Sequence, residues 1–437
     1  MDLVETLSEG CRVLTGGEPY ARDSAPFCPA GLPAAVALPT TVAEVRHVLE
    51  VSAAYGVPVV PQGARTGLAG GANAVDGCVV LSLTGLNRIL EIDPANRLAR
   101  CEPGVTTRAL QEAVAAHGLH YPPDPVSRDT CTIGGNIATG AGGLCCVKYG
   151  VTGDYVLGLS VVLAGGRLVR TGRRTVKGVA GLDLTSLFVG SEGTLGVIVE
   201  ATLALRPARG PVRGLLAQFG SAGEAGEAVA AVVAAGHTPS ALELMDRHVC
   251  GAIRDLGHDL AAASTLVVEC DDGSLPEIAE LIGGTATEHA LELRRLIAPA
   301  MGRIMAGMPG RPTAFIEDVA VPRSELAALI DRVEAIASRA GLFIGTTGHA
   351  GDGNLHPIVL FDADDPAAVA RASAAYDEIM AAGLELGGTI TGEHGVGLLK
   401  RDWLARELDP AALELQRGLK RLFDPAGLLN PGKVLHV

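Results

Sequence analysis

A chain of 437 residues with 48% hydrophobic side chains carries enough apolar material for two or three cored domains, which argues against intrinsic disorder. A formal charge of -14 without any dense Lys/Arg run argues against a nucleic-acid partner and reads as plain solubility. The nine cysteines, at 11, 28, 78, 101, 131, 145, 146, 250 and 270, are odd in number and lack Cys-x-x-Cys spacing, so neither a disulfide framework nor an iron-sulfur or zinc-thiolate site is indicated.

That cysteine usage fits a reducing cytoplasm. The start, Met-Asp-Leu-Val-Glu-Thr, is acidic where a signal peptide would be basic, and no long uninterrupted apolar span follows, so a soluble protein is expected. Aromatic residues make up only 3%, beside abundant Ala, Gly and Arg, which suggests a GC-rich coding bias. No internal repeat is visible.

In chain order, Thr41-Val-Ala-Glu44 forms a capping box for a helix with Val45, Val48, Leu49 and Ser52 on one face, stopped at Gly56. It feeds a strand over 57–60 and then the stretch Pro61-Gln-Gly-Ala-Arg-Thr-Gly-Leu-Ala-Gly-Gly71. Four glycines beside a threonine hydroxyl let main-chain amides approach an anion, which suits a pyrophosphate loop. It is neither a P-loop nor the Rossmann fingerprint, since no Gly-Lys-Ser/Thr and no Gly-x-Gly-x-x-Gly occurs. Alone, such a stretch is more often only a turn.

Strands are expected over 78–83, 89–92 and 98–101, and a capped helix from Thr107 to Gly118. The segment 122–143 holds three prolines followed by five glycines and reads as irregular backbone near the core, with Ile133, Ile137 and Leu144 turned inward; a long exposed loop is the bland alternative. A hairpin joins 159–163 to 167–169 across Ala-Gly-Gly. A third glycine-rich run, 189–200, alternates into a strand through Leu205.

Beyond Pro207 the character changes. Strands over 215–219, 241–245, 265–268, 314–321, 342–345 and 357–361 interleave with helices over 225–235 and 324–340, an antiparallel sheet with helices on one face. Between the last two strands lies Gly-Thr-Thr-Gly-His349-Ala-Gly-Asp-Gly-Asn-Leu-His356, and later Thr-Gly-Glu393-His394-Gly-Val-Gly397. His349 and His356, seven residues apart, cannot share a helix face and converge only through a turn. Two imidazoles and a carboxylate make a three-ligand site with open positions. Asp352 is a rival ligand, but no Glu follows at EF-hand spacing. His47, His117, His120, His237, His248, His258, His289 and His436 read instead as ordinary hydrogen-bonded residues. A helix over 410–419 and a turn at 423–433 close the chain.

The ordered set of 61–71, 123–143, Lys148-Tyr149-Gly150 and 190–197 resembles the FAD-binding domain of the vanillyl-alcohol oxidase type. Within it the chain is most similar to the D-2-hydroxy-acid dehydrogenase branch, which holds FAD-dependent D-lactate dehydrogenase, D-2-hydroxyglutarate dehydrogenase and the flavin subunit of glycolate oxidase. The likeness spans about 32–433. It implies an α+β protein: a two-part FAD-binding domain over 1–207, an α+β cap with an antiparallel sheet and a metal site over 208–400, and a segment over 401–437 returning to the FAD domain.

On that resemblance Pro61, Gly63, Ala64, Thr66, Gly67 and Gly70 surround the pyrophosphate. Ser127, Gly134, Gly135, Asn136, Thr139, Gly142 and Tyr149 line the cofactor, with Glu192, Gly196 and Val197 beside it and Asn430 touching the flavin. His349, His356 and Glu393 match the ligands of a divalent metal, zinc or manganese; His394 matches the base, and Asn354 a residue near the substrate. Arg294 falls where an arginine holds the substrate carboxylate, with Arg295 as the alternative register. Three positions depart from the pattern: Arg65, which either adds a cation near the phosphates or points to solvent, Gly140, and Glu292 where Trp is usual. No His or Cys stands where relatives attach flavin covalently, so non-covalent FAD is implied.

The activity implied is oxidation of a lactate, glycolate or 2-hydroxyglutarate type D-2-hydroxy acid by hydride transfer to flavin N5, metal-assisted with a His base. The acceptor is a quinone, cytochrome, electron-transfer flavoprotein, iron-sulfur subunit or oxygen. The alternatives are a flavin subunit of a multi-component glycolate oxidase, a non-redox enzyme on the same fold as in alkyl-dihydroxyacetone-phosphate synthase, and a redox-silent flavin binder. A homodimer is one assembly this allows; the location implied is cytoplasmic, or peripheral at the inner membrane through a partner.

Overall fold

The computed structural model describes residues 2–287 and 290–436; His289 therefore lies outside the described residues. The described chain divides into two compact units. The first runs through Gly142 and adds Val151–Ala208 and everything from Glu393 onward; the second holds Gly143–Gly150 and Arg209–Gly392. Among the described residues no helix is long and apolar enough to cross a membrane.

Short apolar strands build the first unit's small sheet, in the order Val13–Leu14, Ala35–Ala37, Val79–Ser82, Val59–Gln62. The last three are parallel. The helix Val42–Tyr55, capped by the Thr41 hydroxyl and ended by left-handed Gly56, lays Val45, Val48 and Leu49 on this sheet. Parallel strands need such a crossover. A second sheet is antiparallel throughout, in the order Ile89–Asp93, Leu98–Cys101, Val197–Ala204, Val156–Val162, Leu168–Gly172.

The glycine-rich segment contains a helix, Ile133–Thr139, where irregular backbone was read. Thr132 caps it through a bond from the Gly135 amide, left-handed Gly140 ends it, and Ile133 and Ile137 bury one face. Caps at both ends and an i, i+4 apolar pair outweigh the low helix propensity of two glycines.

The C-terminal helix Pro410–Phe423 is tied into the same unit through Lys420. Its buried ammonium donates to Thr194 O and Leu429 O, both at 2.8 Å, and to Asp424 Oδ2 at 2.5 Å. Asp424 in turn accepts from the amides of Leu428 and Leu429. These bonds hold 428–430 against Val59, whose amide donates to Leu428 O while Asn430 N donates to Val59 O.

All strand pairs of the second unit are antiparallel, in the order Thr285–Thr287, Arg213–Phe219, Ser264–Cys270, Ala241–Met245, Phe343–His349, Asn354–Asp362, Pro312–Ile316, with Val319–Ala320 also on Asn354–Asp362. The helices cover both faces rather than the single face expected. Arg247–Asp255 and Ile297–Ala306 pack on Met245, Ile358 and Leu360. Pro366–Glu385 takes the opposite face, where Tyr376 meets Phe315 at 5.0 Å between ring centroids. Alternation explains it: Phe315 pairs with Val359, whose side chain points away from those of Ile358 and Leu360.

Lys420→Met strands a buried carboxylate and is expected to cost about 3–5 kcal/mol. Urea unfolding followed by far-UV circular dichroism measures it, and adding Asp424→Asn should recover part of the loss.

Candidate active site

The first unit encloses a cavity of about 370 Å³ walled largely by glycine, alanine and main chain. Its lining includes Pro61, Gly63, Ala64, Thr66, Gly67, Ser127, Gly134, Gly135, Asn136, Thr139, Gly142, Glu192, Gly196 and Val197, which are expected cofactor residues. The amides of 64–68 donate to no acceptor among the described residues. Five consecutive main-chain donors without partners fit a phosphate-bearing ligand.

Three expected residues stand apart from that lining. Gly70 turns the loop at φ 76. Asn430 braces the wall from behind, its Nδ2 donating to Gly71 O at 2.8 Å and to Glu192 O at 2.6 Å. Tyr149 belongs to the second unit, where its hydroxyl bonds Asp271 in a cluster with Lys148 and Arg209. Arg65, left open by the sequence, lines the cavity at φ 58 with its guanidinium 4.6 Å over the Tyr20 ring. Asp23, from a stretch without any motif, is also in the wall. Asn136 is held there by its Nδ2 donating to Thr107 Oγ1 at 2.7 Å.

Glu192 is the electrostatic centre of this unit. At φ 50 and 9% exposed, it accepts from the amides of Val396 at 2.7 Å and Gly397 at 3.0 Å. That anchors the turn carrying Glu393 and His394, both of which line the cavity. The packing leaves no room for side chains: a Cβ on Gly71 would stand 2.5 Å from Glu192 Oε2, and one on Gly142 would stand 2.4 Å from Glu393 Oε2. Burial pushes the Glu192 carboxyl up to about 7, while the two amides and Lys433 pull it down and Asp23 pushes it further up. Lys433, itself buried, is drawn down to about 8 by its own desolvation.

The second unit builds its polar site on one sheet face. Strands Phe343–His349 and Asn354–Asp362 form a hairpin in which His349 pairs with Asn354 and Thr347 with His356. Cross-strand partners and residues two apart share a face, so Thr347, His349, Asn354 and His356 all point the same way. The turn that the sequence required is 350–353. The imidazole rings stand 5.1 Å apart at 82°. On the neighbouring strand Met245 pairs with Thr347, and the same register carries Glu243 opposite His349.

Both imidazoles are tied at Nδ1. His349 Nδ1 lies 2.8 Å from Glu243 Oε1, and His356 Nδ1 lies 3.2 Å from Glu317 O. An Nδ1 that donates to a buried acceptor leaves Nε2 as the lone-pair nitrogen, the arrangement metal-binding histidines use. Asn354 Oδ1 is buried and accepts no hydrogen bond among the described residues, so it could serve a polar ligand on this face. Asp318, 3.7 Å from His356 Nδ1, accepts from Thr391 Oγ1 at 2.6 Å and from the Gly392 amide at 2.9 Å.

Arg294, on the short helix Glu292–Arg295, reaches this face. Its Nη1 bonds Thr347 Oγ1 and its Nη2 lies 2.9 Å from Glu243 Oε2. The latter is a charge contact whose angle falls short of a hydrogen bond, since Oε2 accepts none. Arg295 is exposed, which favours Arg294 of the two registers. Glu243 and Asp318 escape sequence reading because one acid in an apolar strand, or an Asp beside Glu317 in a bend, carries no spacing signal; strand register reveals the first and loop packing the second.

A glycine-walled cavity with amides that meet no acceptor among the described residues suits a dinucleotide, and the chain's matches to FAD-linked oxidases make it an FAD-dependent oxidoreductase with a mixed α and β fold. Residues 33–172 match the model described as "FAD binding domain" and residues 211–434 the one described as "FAD linked oxidases, C-terminal domain". The chain belongs to the FAD-linked oxidase family. It is 40% identical over 437 aligned residues to the glycolate oxidase subunit GlcD of Bacillus subtilis, covering 95% of this chain and 91% of that protein. It is 35% identical to a D-lactate dehydrogenase of Archaeoglobus fulgidus, covering 100% and 99%. Among solved structures, 4-ethylphenol oxidase from Gulosibacter chungangensis superimposes with a TM-score of 0.80 at 19% identity, covering 99% of this chain and 96% of that one. That likeness shows the shared vanillyl-alcohol-oxidase-type fold.

Two outcomes are expected. Because folded Glu192 titrates near 7 and an unfolded glutamate near about 4.3, the folded chain holds the extra proton between those values, and its stability falls as pH rises through that window. Glu192→Gln should flatten the pH dependence of the apoprotein melting temperature between about pH 5 and pH 7.5; an unchanged slope would assign the titration elsewhere. Gly63→Val, whose Cβ would stand 2.4 Å from Thr132 Oγ1, should lower FAD affinity at least tenfold on the order of one lost phosphate contact, read by flavin absorbance after dialysis.

Proposed function

We propose that this chain oxidises a D-2-hydroxy acid of the lactate, glycolate or 2-hydroxyglutarate class to the 2-oxo acid. The observation that carries the reading is the sheet face of His349, His356, Asn354 and Arg294, which offers lone-pair nitrogens for a cation beside a guanidinium for a carboxylate. The names of the relatives, glycolate oxidase subunit and D-lactate dehydrogenase, support the same substrate class.

FAD, when bound, would supply the two-electron acceptor for the hydride that leaves C2. Every other step falls to the protein. Arg294 keeps three of its five N–H donors beyond those turned to Thr347 and Glu243, enough for a paired contact with a carboxylate. Asn354 Oδ1 would accept from the substrate, which satisfies its buried lone pairs. His394, from the wall of the flavin cavity, takes the hydroxyl proton at a ring nitrogen as the C2–O bond becomes a carbonyl. An imidazole is the side chain whose ordinary pKa suits that transfer near neutrality.

His349, His356 and Glu393 would hold a divalent cation, zinc or manganese, whose chemistry is to lower the pKa of a bound hydroxyl. Glu393 follows by one peptide bond the Gly392 amide that Asp318 fixes, and this supports its inclusion. The acceptor that reoxidises the flavin is an electron carrier: quinone, cytochrome, electron-transfer flavoprotein or an iron-sulfur partner. The relatives named as glycolate oxidase subunits favour a second reading in which this chain works within a multi-component oxidase. Activity of the isolated chain with an artificial acceptor separates the two.

Anaerobic mixing with D- and L-2-hydroxy acids, following flavin bleaching with and without chelator, tests the proposal. Bleaching by D acids that slows at least tenfold after chelation is the expected result, on the order of one lost Lewis-acid contribution. No bleaching by any acid removes the assignment. His394→Ala should keep FAD while reduction slows by roughly 100-fold or more, the usual weight of a general base.

A further inference from the structure

We propose that Glu243 is a positioning residue that serves the cation site and the carboxylate site at once, one oxygen fixing His349 and the other holding Arg294. It rests on the reading above that these two residues face a cation and a substrate carboxylate, and it concerns what sets their geometry.

The strand Ala241–Met245 is buried along its whole length, and Glu243 is its only ionisable residue, 0% exposed. An ionised carboxylate at such a position is tolerated only where its surroundings compensate it. Two groups do so, and they lie on its two different oxygens: His349 Nδ1 at 2.8 Å from Oε1 and Arg294 Nη2 at 2.9 Å from Oε2. Thr347 closes the arrangement by accepting from Arg294 Nη1, on the same strand and the same face as His349. Sheet register and two side-chain contacts therefore converge on one acid.

Two consequences follow from the chemistry. Accepting from Nδ1 holds the His349 ring in one orientation and leaves Nε2 as its lone-pair nitrogen. Charge contact at the other oxygen pins one edge of the guanidinium, so its remaining donors point in a fixed direction and lose little entropy when they meet a carboxylate. A carboxylate shared in this way also couples the two sites, because a shift of either partner moves the other. A role confined to filling the strand would require neither oxygen to be so placed.

The test uses the FAD-loaded full chain and measures zinc affinity by competition with a chromophoric chelator, then the affinity for a 2-oxo acid by perturbation of the flavin spectrum at saturating zinc. Glu243→Gln keeps the shape but removes the charge; it should weaken zinc 10- to 100-fold and the 2-oxo acid at least fivefold with FAD content unchanged, magnitudes on the order seen for such outer partners. Glu243→Asp, too short to span both groups, should restore at most one affinity. Leu244→Ala on the same strand should lower stability and leave both affinities alone.

Should Glu243→Gln fail to fold, Thr347→Val carries the arginine arm by itself, with weaker 2-oxo acid binding and unchanged zinc affinity expected. Zinc and 2-oxo acid affinities within twofold of wild type in Glu243→Gln, or an unchanged 2-oxo acid affinity in Thr347→Val, would overturn the assignment. Wild-type protein that takes up neither zinc nor manganese would instead sink the cation reading, leaving the 2-oxo acid arm to judge the Glu243–Arg294 link.

Discussion

Main-chain donors that find no acceptor are costly wherever water is thinned out, and among the described residues the run 64–68 presents five of them in succession beside a cavity. Much of the first unit can be read as the apparatus that holds this run in place. Gln62 donates to Tyr20 O and Ala72 O on the two sides of the loop, Asp23 caps the amides of Ala25 and Ala72, and Asn430 ties Gly71 to Glu192. Each of these contacts comes from a different part of the chain. The loop is thus already shaped, and a phosphate held there, as proposed, would be spared the cost of ordering it.

Glu192 links this cradle to the chemistry. A carboxylate desolvated to this degree persists because the Val396 and Gly397 amides meet it, and those amides belong to the turn behind His394. The position of the proposed base is therefore set by an acid that never needs to touch the substrate. Its left-handed backbone is a local strain that the surrounding bonds overdetermine, the usual circumstance for such residues near sites.

In the second unit a single antiparallel register does the corresponding work. Once His349 is opposite Asn354, the side chains of Thr347 and His356 must fall on the same face, and the next strand must bring Glu243 up to His349. A slip of one residue would turn every one of these groups to the helix Pro366–Glu385 instead. The glycines that surround the histidines in sequence serve the hairpin: at Gly348 a Cβ would stand 2.3 Å from Asn354 O, and Gly353 turns at φ 80.

The sequence by itself determined the glycine loops, most of the strands and the helices near 42–55, 107–115 and 326–340, because local propensity and period are written in neighbouring residues, while the roles of the histidines, Glu393 and Arg294 came only as what the resemblance implies. It missed the helix Ile133–Thr139, whose caps outweigh its glycines, and the helices Arg247–Asp255, Ile297–Ala306 and Pro366–Glu385, and it put the cap helices on one face where there are two. It was silent on Asp23, Glu243 and Asp318, acids whose sequence neighbours form no motif. Only the tertiary structure decided those, since what makes a buried carboxylate functional is the partner across a sheet or a turn, and strand register and loop packing are fixed by contacts between residues far apart along the chain.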